Sequence, residues 1–426
     1  MEDDSRRSTA PNSAARPRFQ QTYGELLPDG TIVDLVSEGN DLLLCHYDGS
    51  RMVVLPRLDL ANTVYSPPRL APSLRKAVRF SGPPVEFGSV GALFQETAAV
   101  FEECGFARDH AHWFSVIVFA TWVPELFPHP PTFLIYGSDL SLAALLFDLL
   151  ASLCRRALTA AELSRHLPFS ILPTLLVLST ELSARQRAFW SASNFRSVQV
   201  PCRGGAFENF ACPRVLFTCN ADSLSTWGSN VLPFTWLPRS QMAPSTEREL
   251  AKIAEEFQPK LLMFRLRRLR RINVTQSQKT QSNKFSTYPL ARTLLAALED
   301  EPEIVAAITP FLEAQEREIL ERQMRDPNRV IIESIWSPSH TSKEIQLSDL
   351  TNRVNAILRS RGETSDLDWW QLGWKLSHLG LPPRDRNAQG KRVLFSRDVR
   401  MQLHKLARNF ELKLPEFANC ADCEQV

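Results

Sequence analysis

Between about residues 130 and 240, short apolar runs alternate with longer amphipathic stretches. The runs "TFLIYG", "PTLLVLS" and "RVLFTCN" are mostly apolar, which is typical of strands buried on both faces. The stretches "SLAALLFDLLASLCRR" and "SARQRAFWSAS" lie between them and carry apolar residues at helical spacing. We therefore predict an α/β fold in which residues 133–136, 174–178 and 215–219 lie side by side in a largely parallel sheet.

The pattern before this block is different. Residues 1–21 are rich in Ser, Ala, Pro and Arg and are expected to be disordered. From Tyr23 to about Leu60, short alternating runs separated by "EGN" and "DGS" predict a small meander of strands. Residues 88–105 and 108–123 follow as two predicted helices.

Residues 343–412 predict a winged helix. A helix with Ser348 as its N-cap is followed by a second helix starting near Asp368, a basic loop, the strand "VLF" and a last helix over 397–410. On the second helix, the apolar residues assigned to the core are Trp369, Leu372, Leu376 and Leu379.

These patterns divide the chain into six segments. They are a disordered tail (1–21), a β-meander with helices (22–125), an α/β core (126–257), a basic helical lid or linker (258–342), the winged helix (343–412) and a second tail (413–426).

Composition restricts the class of protein. The 426 residues are 44% hydrophobic and 23% charged, which is ordinary for a globular protein. Eight scattered cysteines are too few for a disulfide scaffold, and the polar N-terminus does not resemble a signal peptide. The longest uncharged stretches are too short to cross a bilayer. We expect a soluble cytoplasmic protein without a membrane partner.

The loop after "TFLIY" has the position of a phosphate-binding loop but lacks its chemistry. The P-loop pattern is G-x-x-x-x-G-K-[ST], in which Lys and a hydroxyl residue serve the phosphates and Mg²⁺. Counted from Gly137, the second glycine, the lysine and the hydroxyl residue are replaced by Leu142, Ala143 and Ala144. Taken alone, one glycine after a strand also fits an ordinary turn.

The next two strands show similar departures. The acidic pair that would hold Mg²⁺ after the second strand is replaced by Leu178 and Ser179, with Glu181 just beyond. Asn220 ends the third strand, where a sensor residue would lie.

Residues from about 20 to 412 resemble a family of bacterial P-loop, AAA/helicase-like ATPases of mobile-element or replication type with a C-terminal winged helix. The segments that carry this resemblance are "TWVPELFPHPPTFLIYG", "LLASLCRR", "PTLLVLSTEL", "SASN", "RGG", "EEFQPKLLMFRLRRLRR", "VNAILRSRGE", "GLPPR" and "QLHKLARNF". The resemblance implies a P-loop-type parallel sheet core between a small N-terminal β region with helices and a winged-helix domain. The departures at Leu142, Ala143, Ala144, Leu178 and Ser179 make this a pseudo-ATPase with no expected nucleotide cofactor.

Two basic regions are candidates for DNA contact. No Asp or Glu occurs from Gln258 to Leu298, and Arg267, Arg268, Arg270 and Arg271 form either a phosphate-contacting surface or the solvated face of a lid helix. From Arg353 to Arg408, 12 basic and 5 acidic residues give a local charge of +7. In this second region, the candidate DNA contacts are Gln371, Lys375, Arg384, Arg386, Lys391 and Arg392. His378 lies on the same polar side of the helix as Gln371 and Lys375.

The sequence predicts no metal site. Cys420 and Cys423 form one C-x-x-C pair near the end of the chain, but zinc needs four ligands and the chain has no second C-x-x-C or H-x-x-x-H. We expect these thiols to lie on a frayed tail.

Three functions are compatible with these features. The first is a non-catalytic DNA-binding or assembly protein whose partners are double-stranded DNA and, for assembly, an intact ATPase homologue or further copies of itself. The second is a working ATPase or helicase-like enzyme in which Arg155 or Arg156 replaces the missing lysine. The third is a protein–protein interaction module, a role that winged helices also have.

Overall fold

The computed structural model describes residues 18–27, 30–60, 62–163, 167–171, 173–179, 183–202, 205–219, 231–236, 245–275, 291, 294, 302–385, 391–410, 412, 414–417, 420 and 423. The chain divides into two compact units, Met1–Glu313 and Ala314–Val426. Three predicted site residues, Glu181, Asn220 and Arg386, lie outside the described residues.

The N-terminal strands form two small sheets. Their bounds are β1 (Arg18–Gln21), β2 (Glu25–Leu26), β3 (Ile32–Glu38), β4 (Asp41–Tyr47), β5 (Met52–Leu55), β6 (Leu58–Leu60) and β7 (Thr63–Ser66). The antiparallel sheet β2-β3-β4-β5 is the predicted meander. The second sheet has the order β1-β7-β6, and its strand β1 pairs in parallel with β7. The expectation of disorder through residue 21 is therefore wrong for Arg18–Gln21, whose backbone is held by this pairing.

The described residues of the first unit also form helices. They are α1 (Pro72–Ala77), α2 (Val90–Glu103), α3 (Arg108–Trp122), α4 (Leu140–Leu153), α5 (Ala184–Ser193), α6 (Glu247–Thr275) and α7 (Pro302–Arg325), which continues into the second unit. The helices predicted over 88–105 and 108–123 match α2 and α3. At α5, Ser183 and Gln186 form a capping box that fixes the start of the helix.

Five strands make the central parallel sheet. They are β8 (Thr132–Tyr136), β9 (Ala157–Ala160), β10 (Thr174–Leu178), β13 (Arg214–Thr218) and β14 (Val231–Thr235), with a separate two-stranded pair of β11 (Val200–Pro201) and β12 (Phe207–Glu208) between them in sequence. The order is β14-β8-β13-β10-β9, and every pairing is parallel. The predicted neighbours β8, β13 and β10 are confirmed, and the fold is α/β with a five-stranded parallel sheet as its core.

Two strands of this sheet were not predicted. The strand β9 has only four residues and begins just after α4 ends, so it has no apolar run of its own. Proline normally argues against a strand because it cannot donate a ladder hydrogen bond. The strand β14 contains Pro233 but lies at the edge of the sheet, where it pairs with β8 alone.

The two faces of the parallel sheet are covered differently. Leu134, Val177 and Leu216 point into a core that they share with the N-terminal strands and with Trp190 of α5. On the opposite face, Phe133 contacts Trp113 of α3, with ring centroids 6.1 Å apart. The sheet is thus enclosed on both faces, as the apolar runs predicted.

The second unit contains a winged helix. After the end of α7 come α8 (Pro327–Thr341), β15 (Glu344–Gln346), α9 (Leu347–Ser360), α10 (Trp369–His378), β16 (Arg384–Asp385), β17 (Lys391–Leu394) and α11 (Arg397–Asn409). The antiparallel sheet β15-β17-β16 completes the plan of helix, strand, two helices and a hairpin. Its core includes Ile331, Ile335 and Trp336 of α8, so the helix preceding residue 343 also packs into this fold.

Two local predictions in this unit are wrong. Ser348 is not the cap of α9, because the helix begins at Leu347 and its N-cap position, Gln346, makes no side-chain capping bond. Trp369 does not belong to the core: its side chain is 56% exposed, whereas Leu372 and Leu376 are fully buried.

Candidate functional site

The loop after β8 is too short to surround a phosphate. The backbone N–H of Gly137 still donates to the carbonyl of Thr218 on β13, at 3.1 Å, so the chain leaves the sheet only at Ser138. The helix α4 then begins at Leu140. A Cβ at Gly137 would lie 3.0 Å from the ring of Phe217. This is closer than an ordinary contact, so a side chain here would displace the ring of Phe217 by a few tenths of an ångström.

The start of α4 is occupied by the chain's own carboxylate. Oδ1 of Asp139 accepts hydrogen bonds from the backbone N–H groups of Ser141, at 2.8 Å, and Leu142, at 3.1 Å. These helix N-terminal donors are the groups that bind phosphate in a P-loop. Asp139 satisfies them and places a negative charge where a phosphate would approach.

The remaining positions of the loop have no phosphate chemistry. Ala143 is fully buried in α4, and Leu142 and Ala144 are half-buried. Leu178 ends β10, and Ser179 follows it without an adjacent acidic residue in the described part of this segment. The geometry therefore adds a second departure from the P-loop pattern, besides the missing lysine.

Arg155 and Arg156 do not replace the missing lysine. They precede β9, at the amino ends of the parallel strands, whereas Gly137 follows the carboxyl end of β8. Both are almost fully buried, and Asp34 of β3 accepts hydrogen bonds from both. The ATPase alternative that assigned them to the nucleotide site is wrong on this point.

Asp34 is the centre of a buried ionic cluster. Besides Arg155, at 3.1 Å, and Arg156, its carboxylate contacts Nε of Arg265 on α6, at 2.7 Å. Arg265 also forms two hydrogen bonds to Glu125, at 2.6 and 2.7 Å. The cluster connects the N-terminal sheet, the start of β9 and α6.

This environment shifts the pKa values of both acids. Burial opposes ionisation of Asp34, but the three guanidinium groups outweigh it and hold its pKa far below the usual range. Burial also opposes ionisation of Glu125, but Arg265 lowers the pKa of that carboxyl to about 2. A charged residue inside the apolar run "TIVDLV" was the sequence signal for this cluster, because a lone Asp is seldom fully buried without a partner.

The basic helix α6 uses its arginines mainly within the unit. Arg268 is buried, and Arg267 pairs with Glu86 and lies over the ring of Phe87. Arg270 donates to the carbonyl of Gly30 at 2.8 Å. Arg271 is exposed and has an interaction within the chain. These contacts favour a packing role for the first three residues over the predicted phosphate-contacting surface.

The helix α10 is firmly oriented. Asp368 and Gln371 form a capping box at its start, so the side chain of Gln371 accepts from the backbone N–H of Asp368, at 3.1 Å. Asn355 of α9 donates to the carbonyl of Leu367 and accepts from its N–H, both at 2.9 Å. The position of α10 is therefore fixed by polar contacts at its N-terminus, and Gln371 is used in one of them.

The outward face of α10 is aromatic. Trp370 and Trp374, one helical turn apart, are 65% and 58% exposed. His378 continues this row, and its ring centroid lies 3.9 Å from that of Trp374. The sequence predicted that Gln371 and Lys375 lie on the polar side of this helix; Gln371 is exposed and Lys375 is half-buried.

The wing adds one cation to this surface and exposes a second. Nζ of Lys391 on β17 lies 5.9 Å from the ring centroid of Trp370, a cation–π arrangement, and Arg384 on β16 is exposed. Arg392 instead pairs with Glu344 across the β15–β17 ladder. We call Trp370, Trp374, His378, Arg384 and Lys391 the aromatic–basic face.

The C-terminal cysteines are not on a frayed tail. Cys423 is 2% exposed and packs in the winged-helix core, close to Cys420, His340 and His404. This corrects the expectation that the two thiols lack further metal-binding neighbours. Sequence spacing did not reveal the group, because the two histidines lie on separate helices, α8 and α11.

Comparisons with known proteins give distant structural matches only. No protein family profile and no curated protein matches the sequence. A structure of the NrS-1 C-terminal region (residues 305–718) is 10% identical, with 85% of this chain and 96% of that chain covered and a TM-score of 0.34. Another structure of that region is 11% identical at the same coverage, with a TM-score of 0.35. Cdc6p from Pyrobaculum aerophilum is 11% identical over 72% of this chain and 95% of that chain, with a TM-score of 0.17.

The hydropathy of the helices bears on membrane insertion. Among the described residues, every helix is either too short or too polar to serve as a membrane span.

Proposed function

We propose that this protein binds DNA without hydrolysing nucleotide, with the P-loop-type core as a scaffold and the winged helix as the binding module. The aromatic–basic face is the observation that carries the proposal. A winged helix places the second helix of its helix–turn–helix, here α10, and its hairpin against the nucleic acid, and both elements here contribute to one surface. The side chains of Trp370 and Trp374 remain mostly exposed on this surface.

The two residue types of this face support complementary contacts. Arg384 and Lys391 can neutralise phosphates, which provides affinity without sequence preference. Indole rings stack on bases that have left the duplex stack, and each such contact contributes about 1–3 kcal/mol. We therefore propose duplex DNA as the ligand, with preference for a duplex that also exposes unpaired bases.

Titration of the full-length chain with labelled DNA tests this proposal. We expect a duplex with a single-stranded overhang to bind about tenfold more tightly than a fully paired duplex of the same length, because one stacked base contributes about 1.4 kcal/mol. Affinity for both should fall with salt, and replacing Arg384 and Lys391 with alanine should reduce the log–log slope by about 0.9 per lost duplex contact.

The aromatic contribution is tested separately. The double variant Trp370→Ala, Trp374→Ala should remove the preference for the overhang and leave the salt slope unchanged. Met401→Ala on α11, which also removes an exposed apolar side chain, and Lys252→Ala on α6, which removes an exposed cation, are matched controls that should bind as the wild type does. We expect the tryptophan variant to bind both DNAs with equal affinity. The two controls should retain the wild-type preference for the overhang.

A protein-docking module is the second candidate. Three exposed tryptophans, Trp369, Trp370 and Trp374, on one short helix are also typical of a protein interface. Absence of salt-dependent binding to any of these DNAs at low ionic strength would favour this candidate. The partner would then be sought first among further copies of this chain and an intact ATPase homologue.

A further inference from the structure

Four potential metal ligands converge in the winged-helix unit. They are His340 at the end of α8, His404 in the middle of α11, and Cys420 and Cys423 beyond that helix. Nε2 of His340 lies 3.4 Å from Nε2 of His404 and 3.4 Å from Sγ of Cys423. Nε2 of His404 lies 3.4 Å from Sγ of Cys423 and 3.5 Å from Sγ of Cys420.

These separations match the edges of a tetrahedral zinc site. With Zn–N near 2.0–2.1 Å and Zn–S near 2.3 Å, a tetrahedral ion separates two nitrogens by roughly 3.3–3.4 Å and a nitrogen from a sulfur by roughly 3.5–3.6 Å. All four ligand atoms lie within 4.8 Å of one another. The donor set, two imidazoles and two thiols, is a common structural zinc set.

Hydrogen bonds of the two rings orient their lone pairs toward one point. Nδ1 of His340 lies 2.8 Å from the carbonyl of Trp336, and Nδ1 of His404 lies 2.7 Å from the carbonyl of Arg400. A carbonyl only accepts, so each Nδ1 carries the proton and each Nε2 of the neutral ring presents a lone pair. Both lone pairs therefore face each other and the two thiols, as the ligands of one cation would.

The surroundings of the cluster are largely apolar, with His404 and Cys423 buried and His340 and Cys420 half-buried. The ring of Phe417 stacks on His340 with centroids 4.5 Å apart, and Trp336 contacts both histidine rings at 4.8 and 4.7 Å. His404 is 1% exposed. A metal here would have four protein ligands and no position open to a substrate, which is the arrangement of a structural site.

We propose that His340, His404, Cys420 and Cys423 bind one zinc ion that attaches the C-terminal segment to α8 and α11. Binding requires both thiols as thiolates, so it releases two protons from them. This site does not depend on the proposed DNA function, because its ligands are separate from the aromatic–basic face.

Metal content of the full-length chain is the first test. Protein produced with zinc present and purified without immobilised metal should contain about one zinc per chain by mass spectrometry. The double variant Cys420→Ser, Cys423→Ser should lose it. Cys202→Ser is the matched control, because Cys202 is a half-buried free cysteine in the other unit, and it should retain wild-type zinc.

Cobalt substitution tests the site first in the wild-type protein. The metal-free wild type titrated with Co²⁺ should develop the absorption of a tetrahedral, thiolate-ligated ion at one equivalent, and zinc should displace it. His404→Gln should weaken this binding by about 10-fold or more, as expected for the loss of a ligand. Absence of both zinc and the cobalt spectrum in wild-type protein whose thiols are reduced would overturn the proposal. Full zinc retention in the double cysteine variant would also overturn it.

Discussion

Replacing Asp34 with alanine should destabilise the first unit by about 5 kcal/mol, which is enough to unfold a domain of ordinary stability. Removing one partner of a buried ion pair leaves an uncompensated charge and costs about 3–5 kcal/mol. One carboxylate here serves Arg155, Arg156 and Arg265, all of them buried, so the cost lies at the upper end. Urea unfolding followed by circular dichroism measures this loss.

A surface aspartate provides the control for this variant. Asp59 also pairs with an arginine, Arg57, at 3.5 Å, but both side chains are more than half exposed. Asp59→Ala should change the stability by less than about 0.5 kcal/mol. Similar urea midpoints for the two variants would contradict the account of the buried cluster.

The same cluster should make the first unit sensitive to acid. Asp34 and Glu125 have lower pKa values in the folded protein than in the unfolded chain, so they contribute stability above the unfolded values, about 4. This stability is lost as pH falls through about 4 toward the folded pKa of Glu125, about 2, and below it for Asp34. Urea midpoints measured between neutral pH and pH ~3 should decrease in the wild type and decrease less in Glu125→Gln.

We expect no hydrolysis of nucleoside triphosphates at all, in contrast to an intact P-loop protein. Asp139 occupies the helix donors that a phosphate would need, and Ala143 stands in place of the lysine. A functional site with a Kd of ~10 µM would stabilise the protein by ~2.7 kcal/mol at ~1 mM MgATP. We expect no such shift in the thermal unfolding of the first unit and no phosphate release above background.

The variant Asp139→Ala serves as a control for this prediction. It frees the N–H groups of Ser141 and Leu142 at a cost of about 1 kcal/mol in helix capping, but it restores neither the lysine nor a longer loop. It should therefore remain without turnover. Phosphate release by the purified wild type that disappears in Glu181→Gln would contradict this account.

Local apolar patterns predicted the framework of the fold. The strands β8, β10 and β13 are continuous apolar runs, and such runs have few places to be buried except a sheet covered on both faces. The edge strands β9 and β14 were missed because an edge position tolerates a short run or a proline. The pattern therefore identifies central strands better than edge strands.

Long-range contacts explain what the sequence did not predict about the sites. His340 and Cys423 are 83 residues apart, so only the packing of α8 against the last helix brings them together. Arg265 and Asp34 are 231 residues apart, and the sequence predicted an exposed surface for the basic run around Arg265. On α10, apolar residues occur on both sides of the helix, and periodicity alone assigned Trp369 to the core.

Hydrogen exchange of the full-length chain, with an overhang duplex and separately with MgATP, tests the central claim most directly. The account predicts that DNA slows exchange in α10 and in the β16–β17 hairpin, while MgATP changes nothing between Gly137 and Leu142. Slowed exchange at Gly137–Leu142 with MgATP, or DNA protection along α6 and none on α10, would contradict it.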